Sequence, residues 1–344
     1  MATQSLETVA RAMVAPGKGL LAADESTGTI EKRFKGIQVE STEASRRAYR
    51  DMLFSAKGLG QHISGVILYD ETIRQKSADG TPFVELLAKN GILPGIKVDT
   101  GAKDLALCPG EKVTEGLDNL AKRCAEYVKL GAKFAKWRAV ITIGADMPSS
   151  TCVAANAHAL GRYAAICQAA GLVPIVEPEV LMDGDHTIER CEEVTEWAFN
   201  AVYEALYVNR VVLERSVLKP SMVVSGKECA RQANVDEVAE RTLRILKRTV
   251  PAAVAGIVFL SGGQSDELAT AHLNAMNKQF AGNLPWPLSF SYGRALQAPA
   301  LKAWKGAAAN VPAAQAALLH RARMNGLACA GKYGANLERQ ALAA

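Results

Sequence analysis

At 344 residues the chain is long enough for one large α/β barrel with extra segments, or for two ordinary domains. A hydrophobic content of 49% fits a globular protein with a sizeable core, and a net charge of +5, with acidic and basic residues interspersed, points away from nucleic-acid or membrane surfaces as partners. The seven cysteines are scattered, odd in number and lack a CxxC pair, so neither a disulfide framework nor a zinc knuckle organises the fold, and a reducing compartment is expected.

In chain order, the N-terminal MATQSLETVARAMVAPGKG lacks the apolar core of a signal peptide, and nowhere do about 20 apolar residues run together as a membrane span requires. A cytoplasmic address is the resulting expectation. Eight short apolar runs follow: 19–24, 64–69, 95–98, 134–138, 173–177, 216–219, 256–260 and 287–291. They do not alternate with polar residues, so they read as parallel strands buried on both faces. The segments between them carry helical spacing, as in Leu117, Leu120, Cys124, Tyr127 and in Ile188, Cys191, Val194, Ala198, Val202, Leu206. Ser149 and Thr187 suit helix N-caps, and Gly131 and Gly171 suit C-caps. This alternation predicts a closed (β/α)₈ barrel, although a doubly wound open sheet would give a similar string. The segment 311–344 reads as helical at first and loosely ordered at its end.

Charged residues sit at or near the C-terminal ends of these runs, where barrel enzymes gather their chemistry. Asp24 ends the first run, Lys97 lies in the third, Lys136 and Arg138 close the fourth, Glu177 and Glu179 the fifth, and Lys219 the sixth. Residues two apart on a strand face the same way, so Lys136 and Arg138 form one pair and Glu177 and Glu179 another. Pro178 and Pro220 cannot donate to a ladder, and each is taken to mark a strand end. A single charge near a strand end is usually half of an ordinary ion pair, but several together in a buried sheet require a reason. A lysine buried among other cations loses its proton more readily than the usual value of about 10.4 and becomes a nucleophile. Carboxylates beside it can dehydrate a carbinolamine and move substrate protons.

Two glycine-rich turns point to phosphate. LSGGQS (260–265) follows the seventh run and SYGRALQ (291–297) the eighth, and each opens a helix, so backbone N–H groups, a helix N-terminus and Arg294 can meet an anion. The loops after strands seven and eight are the usual phosphate site of this barrel class. The five histidines are far apart and without ligand spacing, so no metal is expected.

With the motifs LAADESTGTIEKR, GIKVDTG, AKWRAV, PIVEPE, LKPSM, FLSGGQS, FSYGRALQ and GKY in this order, the sequence resembles class I fructose-bisphosphate aldolase from about Ala15 to Tyr333. The resemblance implies one TIM-barrel domain over 1–344, with a helical extension before a barrel of about 19–305 and a helical tail over about 306–344. It also implies a homo-tetramer and no metal or other cofactor. Lys219 matches the Schiff-base lysine and Glu177 the principal proton donor and acceptor. Glu179 matches its carboxylate neighbour, Asp24 the aspartate assisting at the C4 hydroxyl, and Lys136 the lysine that tunes the imine. Ser261, Gly262, Gly263, Ser291, Gly293 and Arg294 match the ketone-end phosphate site. Ser26, Arg33, Lys97 and Arg138 match groups near the other phosphate or the substrate chain. The expected activity is reversible cleavage of fructose 1,6-bisphosphate, with a phosphorylated sugar as the only implied partner. Rival readings are a Schiff-base barrel for another keto substrate and a non-catalytic binding scaffold. One departure is plain: the chain ends ERQALAA, without the terminal tyrosine of many members.

Overall fold

The structure, a computed structural model, describes residues 5–280 and 282–340. Each predicted run forms a strand because its residues are buried on both faces and backbone pairing is then the only way to satisfy the N–H and C=O groups. In chain order these are β1 (Gly19–Ala23), β2 (Ile63–Leu68) and β3 (Leu93–Lys97), an antiparallel hairpin of β4 (Gly101–Asp104) and β5 (Lys112–Glu115), then β6 (Phe134–Ile141), β7 (Val173–Val180), β8 (Val217–Leu218), β9 (Ile257–Phe259) and β10 (Leu288–Tyr292). All except the hairpin pair in parallel and close into an eight-stranded barrel, β1-β10-β9-β8-β7-β6-β3-β2. Closure excludes the open doubly wound sheet.

The helices are α1 (Leu6–Met13), α2 (Thr27–Lys35), α3 (Glu43–Phe54), α4 (Asp70–Ile73), α5 (Phe83–Lys89), α6 (Leu120–Leu130), α7 (Ser150–Ala170), α8 (Ile188–Val208), α9 (Val235–Thr249), α10 (Asp266–Gln279), α11 (Arg294–Trp304), α12 (Val311–Cys329) and α13 (Asn336–Gln340). Ser149 caps α7 by accepting from Cys152 N–H at 3.1 Å, and Thr187 caps α8 by accepting from Arg190 N–H at 3.3 Å. Gly131 and Gly171 end α6 and α7 with φ of 107° and 90°, a region that favours glycine. The amphipathic α1 is the N-terminal extension: Val9, Ala10, Met13 and Val14 pack with Leu20, Phe134, Val173, Val217 and Val258 in one interior cluster, plugging the barrel. Phe134 fills the interior so tightly that a Cβ on Gly95 would overlap its ring. With the interior packed, chemistry is confined to the opposite mouth.

Four details depart from the sequence reading. Leu117 precedes α6 instead of joining it. The β4–β5 hairpin was not anticipated, because its strands are only four residues each and largely solvent-facing, with no apolar run to betray them. Pro178 lies inside β7, not at its end. Its nitrogen faces the β8 side, since Leu181 N–H, an odd number of residues on, donates to Ile141 of β6; β8 has ended by then, so no ladder bond is lost. The tail continues beyond α12 into α13, where Glu338 accepts from Arg321 Nη1 (2.5 Å) and Tyr333 Oη (2.9 Å); the expected loose end at 341–344 lies outside the described residues.

Candidate active site

Strand alternation carries four charges into the barrel mouth from β6 and β7, whose register sets Arg138 beside Glu177. Lys219 joins them from the end of β8: its N–H donates to Val176 O at 2.8 Å, and Pro220 follows. Lys219 Nζ lies 3.2 Å from Glu177 Oε1, while Lys136 Nζ lies 3.1 Å from Glu177 Oε2 and 2.9 Å from Asp24 Oδ2. Two ammonium-bearing side chains thus flank one carboxylate. Lys219, Lys136 and Glu177 are 3%, 5% and 2% exposed, so their mutual fields act with little water to screen them.

The two lysines are driven in opposite directions. Burial lowers the proton affinity of Lys219, and the nearby positive charge of Lys136 lowers it further; Glu177 and Asp24 counteract this only in part, leaving its pKa below the ordinary lysine value. Burial also penalises the charged form of Lys136, but Asp24, Glu177 and Asp99 together overcome it and hold Lys136 protonated. Burial alone would raise Asp24, yet Lys136, Lys219 and Lys97 keep it ionised, well below the carboxylate range. One amine is therefore primed to lose its proton beside one fixed cation. That separation of neighbouring groups is how sites assign nucleophile and electrostatic roles.

All the predicted site residues except Gly263 line a single cavity of about 520 Å³. On one side, Gly262 and Gly263 take φ of 57° and 100° in the turn before α10, whose cap Ser265 accepts from Leu268 N–H at 3.2 Å. Across from it, Gly293 and Arg294 open α11. Ser291 Oγ is buried without a hydrogen-bond partner among the described residues, as expected of a group reserved for a ligand. On the other side, Lys97 Nζ donates to Asp99 Oδ1 at 2.5 Å, Arg138 pairs with Glu179, and Ser26 precedes α2 without capping it. Arg33, expected with them, instead pairs with Glu25 and reaches the ketone-end turn, where a Cβ on Gly293 would lie 3.9 Å from its Nη2, because α2 carries it back toward α11. The amine cluster thus stands between two cationic ends.

Comparison with known proteins agrees with the closed barrel. The family model for class-I fructose-bisphosphate aldolase matches residues 5–344. The chain belongs to that family. It is 61% identical over 334 residues to a probable fructose-bisphosphate aldolase class 1 of Xanthomonas campestris, covering 97% of this chain and 99% of that one. It is 56% identical to fructose-bisphosphate aldolase 5, cytosolic, of Arabidopsis thaliana, covering 94% and 90%. The Plasmodium falciparum aldolase, solved in complex with TRAP and a small-molecule inhibitor, superposes with a TM-score of 0.94 at 51% identity, covering 96% of this chain and 95% of that one. The chain is therefore a (β/α)₈ carbon–carbon lyase of the class I aldolase type.

Several aldolase residues at the site escaped the sequence reading. Glu25 is buried and accepts from Arg50 Nη2 at 2.7 Å and Gln297 Nε2 at 2.8 Å, bracing the loop that carries Asp24 and Ser26. It stood in the AADES motif, but Arg50 and Gln297 come from distant helices that no local spacing reveals. Asp99 accepts from the Lys97 ammonium and from the backbone N–H of Arg138 (3.3 Å), tying the Lys97 side chain to β6. Lys227 and Asp183 line the mouth from loops after β8 and β7, each with a single glycine, Gly226 or Gly184, and no apolar run or paired-glycine turn to mark it. A larger hollow of about 810 Å³ lies between α9, α10 and Tyr333, away from the amines and carboxylates of the mouth. No helix of the described residues is long and apolar enough to cross a membrane, and none of their His, Cys, Asp and Glu side chains cluster as a metal site.

Proposed function

We propose that Lys219 is the amine through which the enzyme cleaves fructose 1,6-bisphosphate into dihydroxyacetone phosphate and glyceraldehyde 3-phosphate, and that it does so without a metal. The observation that carries this reading is the shared carboxylate: Glu177 lies between Lys219 and Lys136, whose proton affinities are driven apart. The neutral Lys219 adds to the C2 carbonyl. The carbinolamine loses water as Glu177 supplies the proton that departs with the hydroxyl. The iminium nitrogen then accepts the electrons of the breaking C3–C4 bond while Asp24 receives the C4 hydroxyl proton, and the aldehyde leaves. Protonation of the enamine at C3 and addition of water return the ketone and free the amine.

Lys136 holds Asp24 and Glu177 in place as a permanent cation, and Glu179, paired with Arg138, anchors the far side of the carboxylate pair. Ser261, Gly262, Gly263, Ser291, Gly293 and Arg294 receive the ketone-end phosphate through a helix N-terminus and charge-assisted bonds. Ser26, Lys97 and Arg138 receive the other, whereas Arg33 stands nearer the ketone-end turn at Gly293. Two cationic ends favour a bisphosphate over a monophosphate.

Cleavage of fructose 1,6-bisphosphate and of fructose 1-phosphate, each with and without EDTA, tests the reading. Preference for the bisphosphate, unchanged by EDTA and lost in Lys219→Met, is expected; inhibition by EDTA, or retained turnover in the variant, contradicts it. A cytoplasmic, glycolytic and gluconeogenic role fits the seven free cysteines and the cytosolic Arabidopsis relative. The chain is taken as one domain, barrel plus tail, because α12 packs on α10 and α11. It is also taken as a homo-tetramer, consistent with Tyr207 and Val208 exposed together at the end of α8.

A further inference from the structure

Lys227 lies on a loop after β8 that is zipped to the loop after β7. Gly226 N–H donates to His186 O (2.8 Å), Lys227 N–H to Met182 O (2.8 Å) and Glu228 N–H to Gly184 O (2.9 Å). The backbone is thereby fixed, while the side chain extends along the cavity wall and places Nζ 2.7 Å from Asp183 Oδ1. That carboxylate's side chain is 64% exposed and the lysine's 42%, so the pair is weakly held in water. The opposite neighbour of Lys227 is the phosphate turn itself. A Cβ on Gly263 would lie 3.1 Å from Arg294 Nη2, 3.1 Å from Lys227 Cε and 3.2 Å from Lys227 Nζ. Two cations thus converge on one glycine whose φ of 100° shapes the turn before α10. Like charges brought together across a turn repel unless an anion is shared. Asp183 offsets only the lysine.

We propose that Lys227 is a second cationic arm of the ketone-end phosphate site, released by Asp183 to bridge the substrate phosphate together with Arg294. The inference rests on the aldolase reading above and adds a specificity-determining group to it. The division of labour follows from the chemistry of the two side chains. Arginine offers a planar fork that fixes the phosphate's orientation, whereas lysine is a rotatable point charge that can exchange partners without moving the backbone. Asp183 parks the lysine beside the site and softens the repulsion until a phosphate enters. Substrates and products phosphorylated next to the ketone gain from this arm, and keto substrates without that phosphate do not.

The competing possibility is that Lys227 and Asp183 merely strap two loops together. Lys227→Met and Asp183→Asn both break a strap but have different effects on a phosphate arm. For the full-length enzyme, Lys227→Met should raise KM for fructose 1,6-bisphosphate and the inhibition constant for inorganic phosphate by roughly 3- to 10-fold, the range for a half-exposed charge-assisted bond, with kcat little changed. Asp183→Asn should leave both constants unchanged or lower them, because it frees the lysine. Equal shifts in the same direction for the two variants, or unchanged constants in Lys227→Met, overturn the proposal. Borohydride trapping with saturating dihydroxyacetone phosphate separates this failure from failure of the imine reading. Wild type without adduct refutes the imine, whereas full labelling of Lys227→Met at an unshifted half-saturating concentration refutes only the arm.

Discussion

Glu177 is the residue on which the site's arithmetic turns, since its two oxygens face two lysines at 3.1 and 3.2 Å and it is 2% exposed. An amide in its place keeps the shape and removes the transferable proton. Glu177→Gln should therefore slow imine formation and hydrolysis by about 10²–10⁴-fold, the usual contribution of an acid–base group. Turnover near wild type in a steady-state cleavage assay would remove Glu177 from that role. At this scale the sequence was legible wherever a charge sat on a buried strand. Asp24, Lys136, Glu177 and Lys219 could each be found from one strand end and the period of two. Glu25 and Asp99 were not, because their importance lies in partners such as Arg50, Gln297 and Arg138, which only the folded chain brings to them.

Among the elements, α10 links the phosphate turn to the body of the barrel. His272 on this helix is 2% exposed, and its Nδ1 lies 2.6 Å from Oε1 of Gln264, the residue following Gly263. Burial pushes the imidazole down to about 4, below its ordinary 6.5. As the pH falls through 6.5 the unfolded chain takes up this proton while the native one does not, so the associated stability is complete above about 6.5 and is lost on approach to about 4. Between pH 7 and pH 5, wild type should therefore lose roughly 2 kcal/mol more stability than His272→Asn in urea unfolding. Parallel losses would show that the imidazole does not stay neutral in the native state. The predicted barrel strands and the caps at Ser149 and Thr187 were legible because burial on both faces and capping chemistry leave local signatures. The β4–β5 hairpin was not: Asn156 of α7, donating to Lys112 O at 2.8 Å, and Thr114 Oγ1, donating to Arg138 O at 2.7 Å, pin it to the barrel through long-range contacts.

Across the whole molecule, no described residue of the tail lines the barrel mouth. Tyr333, the last tyrosine of the chain, donates to Glu338 and borders the hollow against α9 and α10, with no place in the lining of the catalytic cavity. Tyr333→Phe should leave cleavage little changed while costing about 1 kcal/mol of stability, the net value of one hydrogen bond. A large fall in kcat would instead give this tyrosine a part in protonating the carbanion. The barrel class was readable from the order of strands and helices, but closure was not, because an open sheet produces the same string; it took the pairing of β1 with β10 to decide. The account depends most on the amine of Lys219 becoming bonded to the substrate's carbonyl carbon. Borohydride reduction in the presence of dihydroxyacetone phosphate, followed by peptide mass spectrometry, should leave one stable adduct on Lys219 and abolish activity. An adduct on Lys136 or another lysine, or inactivation without any adduct, would contradict it.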